Sequence, residues 1–322
     1  MLVKKCFENS WNPNVELNIV IPTYYRTENL IKSLRRLDEC FQNNFNVIIL
    51  DNDESDLKSD LLKFLKTIKF GLKFYKNNIS TSGEISSLRL FELAQSKWIY
   101  LLGDSKLIKK NAIQIILRDI KNYNNYNGII YSYDSVINKN VTVNSLNDFF
   151  KSGLKFGDFI LMGNSLINKK SVKSHLIHGY NVSNSLTVPP AFHLLSLKEN
   201  SKIFLSKDKI IQNVIEKPKH YNPGISLLKC WYSFPMLCIL PFKRNYKKKI
   251  SKMILHNENF KDYLIFIKFC LLKIFKEKKN ISRELYLILK FRYIYSSFSI
   301  EKFFIIPLLI ISKIKFINEK SN

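Results

Sequence analysis

Cysteine is scarce in this 322-residue chain: five residues, an odd number, with no C-x-x-C pair. That pattern excludes a disulfide scaffold and a zinc ribbon, and it fits reduced thiols. Glycine and proline stand at nine each, which excludes collagen-like and low-complexity chains. No run of about 20 uncharged apolar residues occurs, so no membrane span is expected. The nearest approach, residues 225–242, is interrupted by Lys229, Pro235 and Pro241. The opening MLVKKCFENSW has a basic pair but no apolar segment after it, so no secretory signal is read there. Acidic residues are also short, 26 against 51 Lys and Arg, for a net charge of +25.

What is present is core material. Apolar residues make up 46% of the chain and aromatics 13%, which excludes disorder over the whole length. The length suits one α/β domain with an appendage. The charge is uneven: residues 217–322 hold 22 Lys and Arg against six Asp and Glu, a net +16. A basic surface suits nucleic acid, anionic lipid or anionic substrates, and a Lys-, Ile- and Asn-rich composition accounts for part of the excess.

Residues 17–133 alternate between short apolar runs and helical periodicities. LNIVIP (17–22), NVIIL (46–50), LKFY (72–75), WIYLL (98–102) and GIIYSY (128–133) read as strands. Helices are predicted over 28–41 with Thr27 as cap, over 57–68, over 84–96 and over 109–122. Alternation of this kind predicts a parallel sheet covered on both faces, with ligands bound beyond the carboxyl ends of the strands. Those ends carry Thr23-Tyr24, Asp51-Asn52-Asp53 and Asp104-Ser105. Three polar, acidic strand ends together suit a nucleotide or sugar site. Further on, residues 156–167 read as a strand or hairpin. Residues 175–197 read as a loop followed by a helix after Pro190, and 202–215 as late strands. From residue 217 the segments 263–279, 284–298 and 303–316 are apolar, aromatic and basic together. Helices of that kind suit an anionic membrane surface, the alternative being a small bundle with a solvated basic face.

Three blocks in register, IVIPTYYRTENL (19–30), ILDNDES (49–55) and AQSKWIYLLGDS (94–105), resemble the family-2 glycosyltransferases. The resemblance covers residues 17–135. It implies a GT-A fold, a mostly parallel sheet flanked by helices, over residues 17–216; residues 1–16 are then an N-terminal extension, and 217–322 the helical, basic region whose composition suits a membrane surface. It also implies an enzyme that moves a sugar, with inversion, from a nucleotide-sugar donor to a hydroxyl. The acceptor class expected is a bacterial surface glycan or glycolipid, such as lipooligosaccharide, O-antigen or capsule, met at the inner face of the cytoplasmic membrane.

Residue by residue, the resemblance places Thr23, Tyr24 and Arg26 against base and ribose. It makes Asp51 the base-reading carboxylate, with Asp53 near the ribose and Asp104 facing the diphosphate. A carboxylate at Asp51 can accept the uracil N3–H, which favours UDP. Three positions depart from the family pattern. Tyr25 stands where Asn is usual, and Ser87-Leu88 where Arg-Asn is usual. Ser105 and Lys106 replace acidic residues of the metal motif. Asp104 can hold Mn²⁺ or Mg²⁺ with phosphate and water, Lys106 can replace the metal, or the domain can be a non-catalytic partner in a glycan-assembly complex. Asp158 and His193 are the candidates for a general base. His175 and His178 lack a third ligand, so no metal is assigned there. Nucleic-acid binding is the remaining alternative, prompted by charge and aromatics without a recognisable binding motif.

Overall fold

The computed structural model describes residues 3–42, 44–53, 55, 57–133, 137–160, 162–212, 232–233, 235–255, 268, 282–295 and 305–313. The chain divides into two compact units, Met1–Asn184 with Val188–Tyr221, and Ser185–Thr187 with Asn222–Asn322.

The first unit is built on a nine-stranded mixed sheet flanked by helices. Its strands in chain order are β1 (Val3–Asn9), β2 (Leu17–Thr23), β3 (Asn46–Asp51), β4 (Gly71–Asn77), β5 (Trp98–Leu101), β7 (Gly128–Tyr131), β8 (Val141–Val143), β9 (Ser165–Asn168) and β10 (Ile203–Ser206). In space they run β1-β4-β3-β2-β5-β9-β7-β10-β8. A separate two-stranded ribbon pairs β6 (Leu107–Ile108) with β11 (Ile211–Gln212). Strands β4, β3, β2 and β5 are mutually parallel. Every residue of β2 is buried, which is why it reads as an unbroken apolar run.

The expected mostly parallel sheet is found, with antiparallel strands added to it; β8 pairs antiparallel with β10 at one edge. Strand β9 lies between β5 and β7 and is antiparallel to both. Its chain enters from the turn after residue 160 and so runs opposite to its neighbours. Strand β1, from the stretch expected as an extension, adds an antiparallel edge to β4.

The helices are α1 (Thr27–Glu39), α2 (Ser59–Leu65), α3 (Gly83–Leu93), α4 (Ala112–Asn122), α5 (Leu146–Lys151), α6 (Phe156–Ile160), α7 (Lys169–Asn181) and α8 (Val188–Lys198). Helix α1 buries Leu30, Leu34 and Leu37 at helical spacing. Thr27 is its first helical residue, and Arg26 takes the cap position without a side-chain cap bond. The segment 156–167, expected as a strand or hairpin, instead begins as helix α6, and only its end is the strand β9. Residues 175–181, expected as loop, belong to α7, whose N-cap Asn168 accepts from the Lys170 N–H. Helix α8 admits Pro189 and Pro190 in its first turn, where no N–H is needed, and Val188 to Leu197 are buried all round.

In the second unit, helix Arg244–Leu255 carries five Lys and Arg and no acidic residue, and it contacts helix Ser282–Tyr295. Residues 305–313 are helical as well. Ile305, Leu308 and Ser312 form its buried stripe, while Ile306 and Ile310 are 41% and 53% exposed. Segment 263–279 lies outside the described residues apart from Lys268. No described helix is long and apolar enough to cross a membrane.

Candidate active site

Strands β3, β2 and β5 are adjacent and parallel, so their carboxyl ends open side by side. Register aligns Thr23 with Asp51 across β2 and β3. Asn52 then donates its backbone N–H to the Thr23 carbonyl at 2.9 Å, which extends the pairing past the strand. From β5 the chain turns through Gly103-Asp104-Ser105-Lys106, closed by the Lys106 N–H on the Gly103 carbonyl at 3.0 Å. Ser33 of α1 donates to the Lys106 carbonyl at 3.1 Å and ties that turn to the helix.

Asp104 is the hub. It is 4% exposed, and both carboxylate oxygens are engaged. The Thr23 hydroxyl donates to Oδ2 at 3.0 Å and Arg26 Nη1 donates to Oδ1 at 3.0 Å. Burial raises the Asp104 pKa above the ordinary carboxylate value. The Arg26 charge and the hydrogen bonds from Thr23 and Arg26 offset that only in part.

Asp51 is bound differently. Its Oδ1 accepts the Asp53 N–H at 3.0 Å, and Lys76 Nζ stands 3.8 Å from its Oδ2. Burial again raises its pKa, against the Asp53 N–H and the Lys76 charge. Asp53 accepts the Ser55 N–H at 2.9 Å. Burial works to raise its pKa too, but the Ser55 hydrogen bonds and the Lys76 charge bring it below the usual value. Tyr24 and Tyr25 project outward at 47% and 67% exposure, with ring centroids 4.2 Å apart. Tyr25 has φ 53°, a left-handed conformation where Asn is far better tolerated than Tyr. The nearby Asp53 charge raises the Tyr25 phenol pKa.

The structure thus brings Thr23, Arg26 and Asp104 into direct contact, with Asp51, Asp53, Tyr24 and Lys106 on neighbouring strand ends. It adds residues that the motif reading did not single out. Lys76, the next-to-last residue of β4, pairs with Asp51 in the parallel register, which strand pairing alone would have revealed. Behind them lies a polar network. Asn77 Nδ2 donates to Asn52 Oδ1 at 2.8 Å, the Thr81 N–H donates to the same oxygen at 2.8 Å, and Arg89 Nη1 donates to Asn77 Oδ1. It fastens the loop after β4 to the end of β3. Ser87 and Leu88, where the family usually has Arg-Asn, are buried in α3, and the Ser87 hydroxyl donates to the Gly83 carbonyl at 2.8 Å.

The two base candidates are interior, each 1% exposed. Asp158 Oδ1 accepts the Tyr133 N–H at 2.6 Å and so braces the chain just past β7. His193 Nε2 lies 3.1 Å from the Ser165 hydroxyl oxygen. Its ring packs on Gly128 so closely that a Cβ there would overlap it. Burial pushes the His193 pKa down to about 3, so the ring is neutral at pH 7. Both side chains are thus packed in the interior, away from bulk solvent.

The donor set does not fit a divalent cation. A hard cation wants several free oxygens, and the single carboxylate of the turn is already bound by a hydroxyl and a guanidinium. Among the described residues no group of three His, Cys, Asp or Glu could hold a metal.

Residues 18–176 match the profile of a family described as glycosyl transferase family 2. No curated protein matches the chain in sequence. Among solved structures, Staphylococcus aureus TarS 1-349 is similar with a TM-score of 0.60 at 12% identity, over 95% of this chain and 89% of that one. Its complex with UDP-GlcNAc gives 0.56 at 10%, over 93% and 91%. The mannosyltransferase PcManGT from Pyrobaculum calidifontis, solved with GDP-Man and Mn²⁺, gives 0.53 at 9%, over 94% and 88%. At such identities these likenesses establish the fold, which is GT-A.

Proposed function

Since residues 18–176 form a family-2 glycosyltransferase domain, we propose that this glycosyltransferase moves a sugar, with inversion, from a UDP-sugar to a hydroxyl of a bacterial surface glycan or glycolipid. The observation that carries the reading is the meeting of Thr23, Arg26, Asp51 and Asp104 at three adjacent strand ends. That is where an open α/β sheet binds its ligand.

Within the domain, expected to span 17–216, the roles divide by chemistry. Asp51 keeps a carboxylate oxygen directed toward Lys76 with no hydrogen bond shorter than their 3.8 Å separation, so it can accept a base N–H. Tyr24 offers an exposed ring for stacking, and Asp53 a carboxylate for ribose hydroxyls. Arg26 and Lys106 supply positive charge for the diphosphate. In the transfer, the acceptor oxygen bonds to the anomeric carbon as the bond from that carbon to the diphosphate oxygen breaks. The bonding pair leaves with the nucleoside diphosphate. That TarS was solved with UDP and with UDP-GlcNAc supports the choice of uridine.

Residues 217–322 hold the enzyme to an anionic membrane surface at the inner face of the cytoplasmic membrane. Helix Arg244–Leu255, with its five basic residues, and the exposed Ile306 and Ile310 support this: cations meet lipid phosphate while isoleucines enter the interface. A membrane-tethered acceptor would thereby be met at raised effective concentration.

The test is thermal stabilisation of the full chain by UDP, CDP and GDP. A ligand that binds only the folded state raises the melting point by mass action. UDP should stabilise, and Asp51→Ala should remove most of the shift. Stabilisation by GDP with none by UDP would overturn the uridine assignment, and no shift with any of the three would overturn the donor site.

A further inference from the structure

The turn that follows β5 carries two cations in an unusual relation to its one carboxylate. Arg26 spends one Nη on Asp104 and remains 41% exposed along its side chain, so other guanidinium N–H groups face outward. Lys106 is half-buried and forms no ion pair with any carboxylate among the described residues. Its Nζ stands 5.8 Å from the centroid of the Tyr133 ring, and burial lowers its pKa. A half-buried ammonium without a counter-ion carries a desolvation cost that an incoming anion would offset.

The chain around that ammonium is held at three points. The turn is closed on Gly103, Ser33 fixes the Lys106 carbonyl, and Asp158 fixes the backbone N–H of the Tyr133 whose ring the ammonium faces. A cation that bound at Asp104 would have to share the carboxylate with the Arg26 guanidinium or displace it, and would bring a further positive charge to a turn that already carries Lys106. Repulsion and lost hydrogen bonds both oppose that. Two unit charges, already positioned, match the charge of one divalent ion.

We infer that Arg26 and Lys106 bind the diphosphate of the nucleotide in place of a divalent cation, so that donor binding is metal-independent. The inference rests on the donor site proposed above and extends it to how the phosphates are held. Asp104 is then a positioning residue, aiming Arg26 and tying β2 to the turn.

Calorimetric titration of the full chain with UDP and UMP, in EDTA and in Mn²⁺, tests this. The UDP dissociation constant should agree within about twofold between the two conditions. Lys106→Gln should weaken UDP by about tenfold or more and leave UMP within about twofold, because the lost contact is to the distal phosphate. Lys106→Arg, which keeps the charge, should restore most of the UDP affinity and shows that the turn still folds. Tightening of wild-type UDP binding by about tenfold in Mn²⁺ would overturn the inference while leaving the donor site standing. Equal UDP affinity in Lys106→Gln would overturn it too. If GDP binds and UDP does not, the same comparison is made with GDP and GMP, and only the base assignment falls. Binding of neither diphosphate, in EDTA or in Mn²⁺, overturns the donor site and the inference with it.

Discussion

The ends of β3 and β5 present Asp51 and Asp104 at the same edge of the sheet and employ them in opposite ways. Asp104 faces inward: a side chain from β2 and one from the following turn each engage one of its oxygens, and it binds three pieces of chain together. Asp51 accepts only a local backbone N–H on one oxygen and has a lysine at 3.8 Å from the other. Burial raises both pKa values, so burial alone does not separate them. Their partners do. A carboxylate with a side-chain donor on each oxygen ties pieces of chain together, and one with a more open oxygen at a strand end has capacity to accept a ligand N–H.

The contrast breaks most visibly by truncation. Asp104→Ala strands the Thr23 hydroxyl and frees Arg26, and should cost about 2 kcal/mol of stability, less than a fully buried pair because Arg26 is partly exposed. Asp51→Ala should cost well under about 1 kcal/mol, since it removes a carboxylate whose burial is already unfavourable. Urea denaturation of both variants measures the difference. Equal losses would mean that the two strand ends are not specialised in this way.

A smaller effect sharpens the same contrast through pH. The folded-state pKa of Asp51 lies above its ordinary value. The stability linked to that shift is therefore fully present below about pH 3.8 and is lost as pH rises through the folded pKa. Asp51→Asn removes the titration, so the variant should gain over wild type at pH 7, by about 2 °C in melting point, and show no such gain at pH 3. Melting curves at the two pH values decide it. A gain that is the same at both would assign the effect to something other than ionisation.

How far these strand ends were legible follows from what each depends on. Strands β2, β3 and β5 are buried on both faces, so they appear as unbroken apolar runs, and the polar residues closing them stand out. Helix α1 showed its inward face as Leu30, Leu34 and Leu37. The Arg26–Asp104 pair and the Asp51–Lys76 pair were hidden because each needs strand order and register, which no local window contains. Strand β1 was missed because an edge strand with a register shift between Lys5 and Phe7 leaves no clean alternation. The FGDFI segment is as apolar as a strand, and only its packing makes it helix α6. The packing of the His193 ring against Gly128, 65 residues upstream, was equally out of reach of any local window.

The smallest effect concerns the loop between the two strand ends. Tyr25 occupies a left-handed conformation at φ 53° that disfavours a bulky residue, and it does so with 67% of its surface in solvent. Packing therefore does not repay the strain, and strain retained at a mouth of this kind points to use of the ring. Replacing Tyr25 by Asn should relieve the backbone and raise stability by about 0.5–1 kcal/mol, while weakening UDP by about threefold through loss of the ring beside Tyr24 and Asp53. Both changes can be read from one melting series with and without UDP. Stabilisation with unchanged UDP affinity would leave the tyrosine without a binding role. A loss of stability would show that the loop owes its shape to the Tyr24–Tyr25 ring pair and not to the turn behind it.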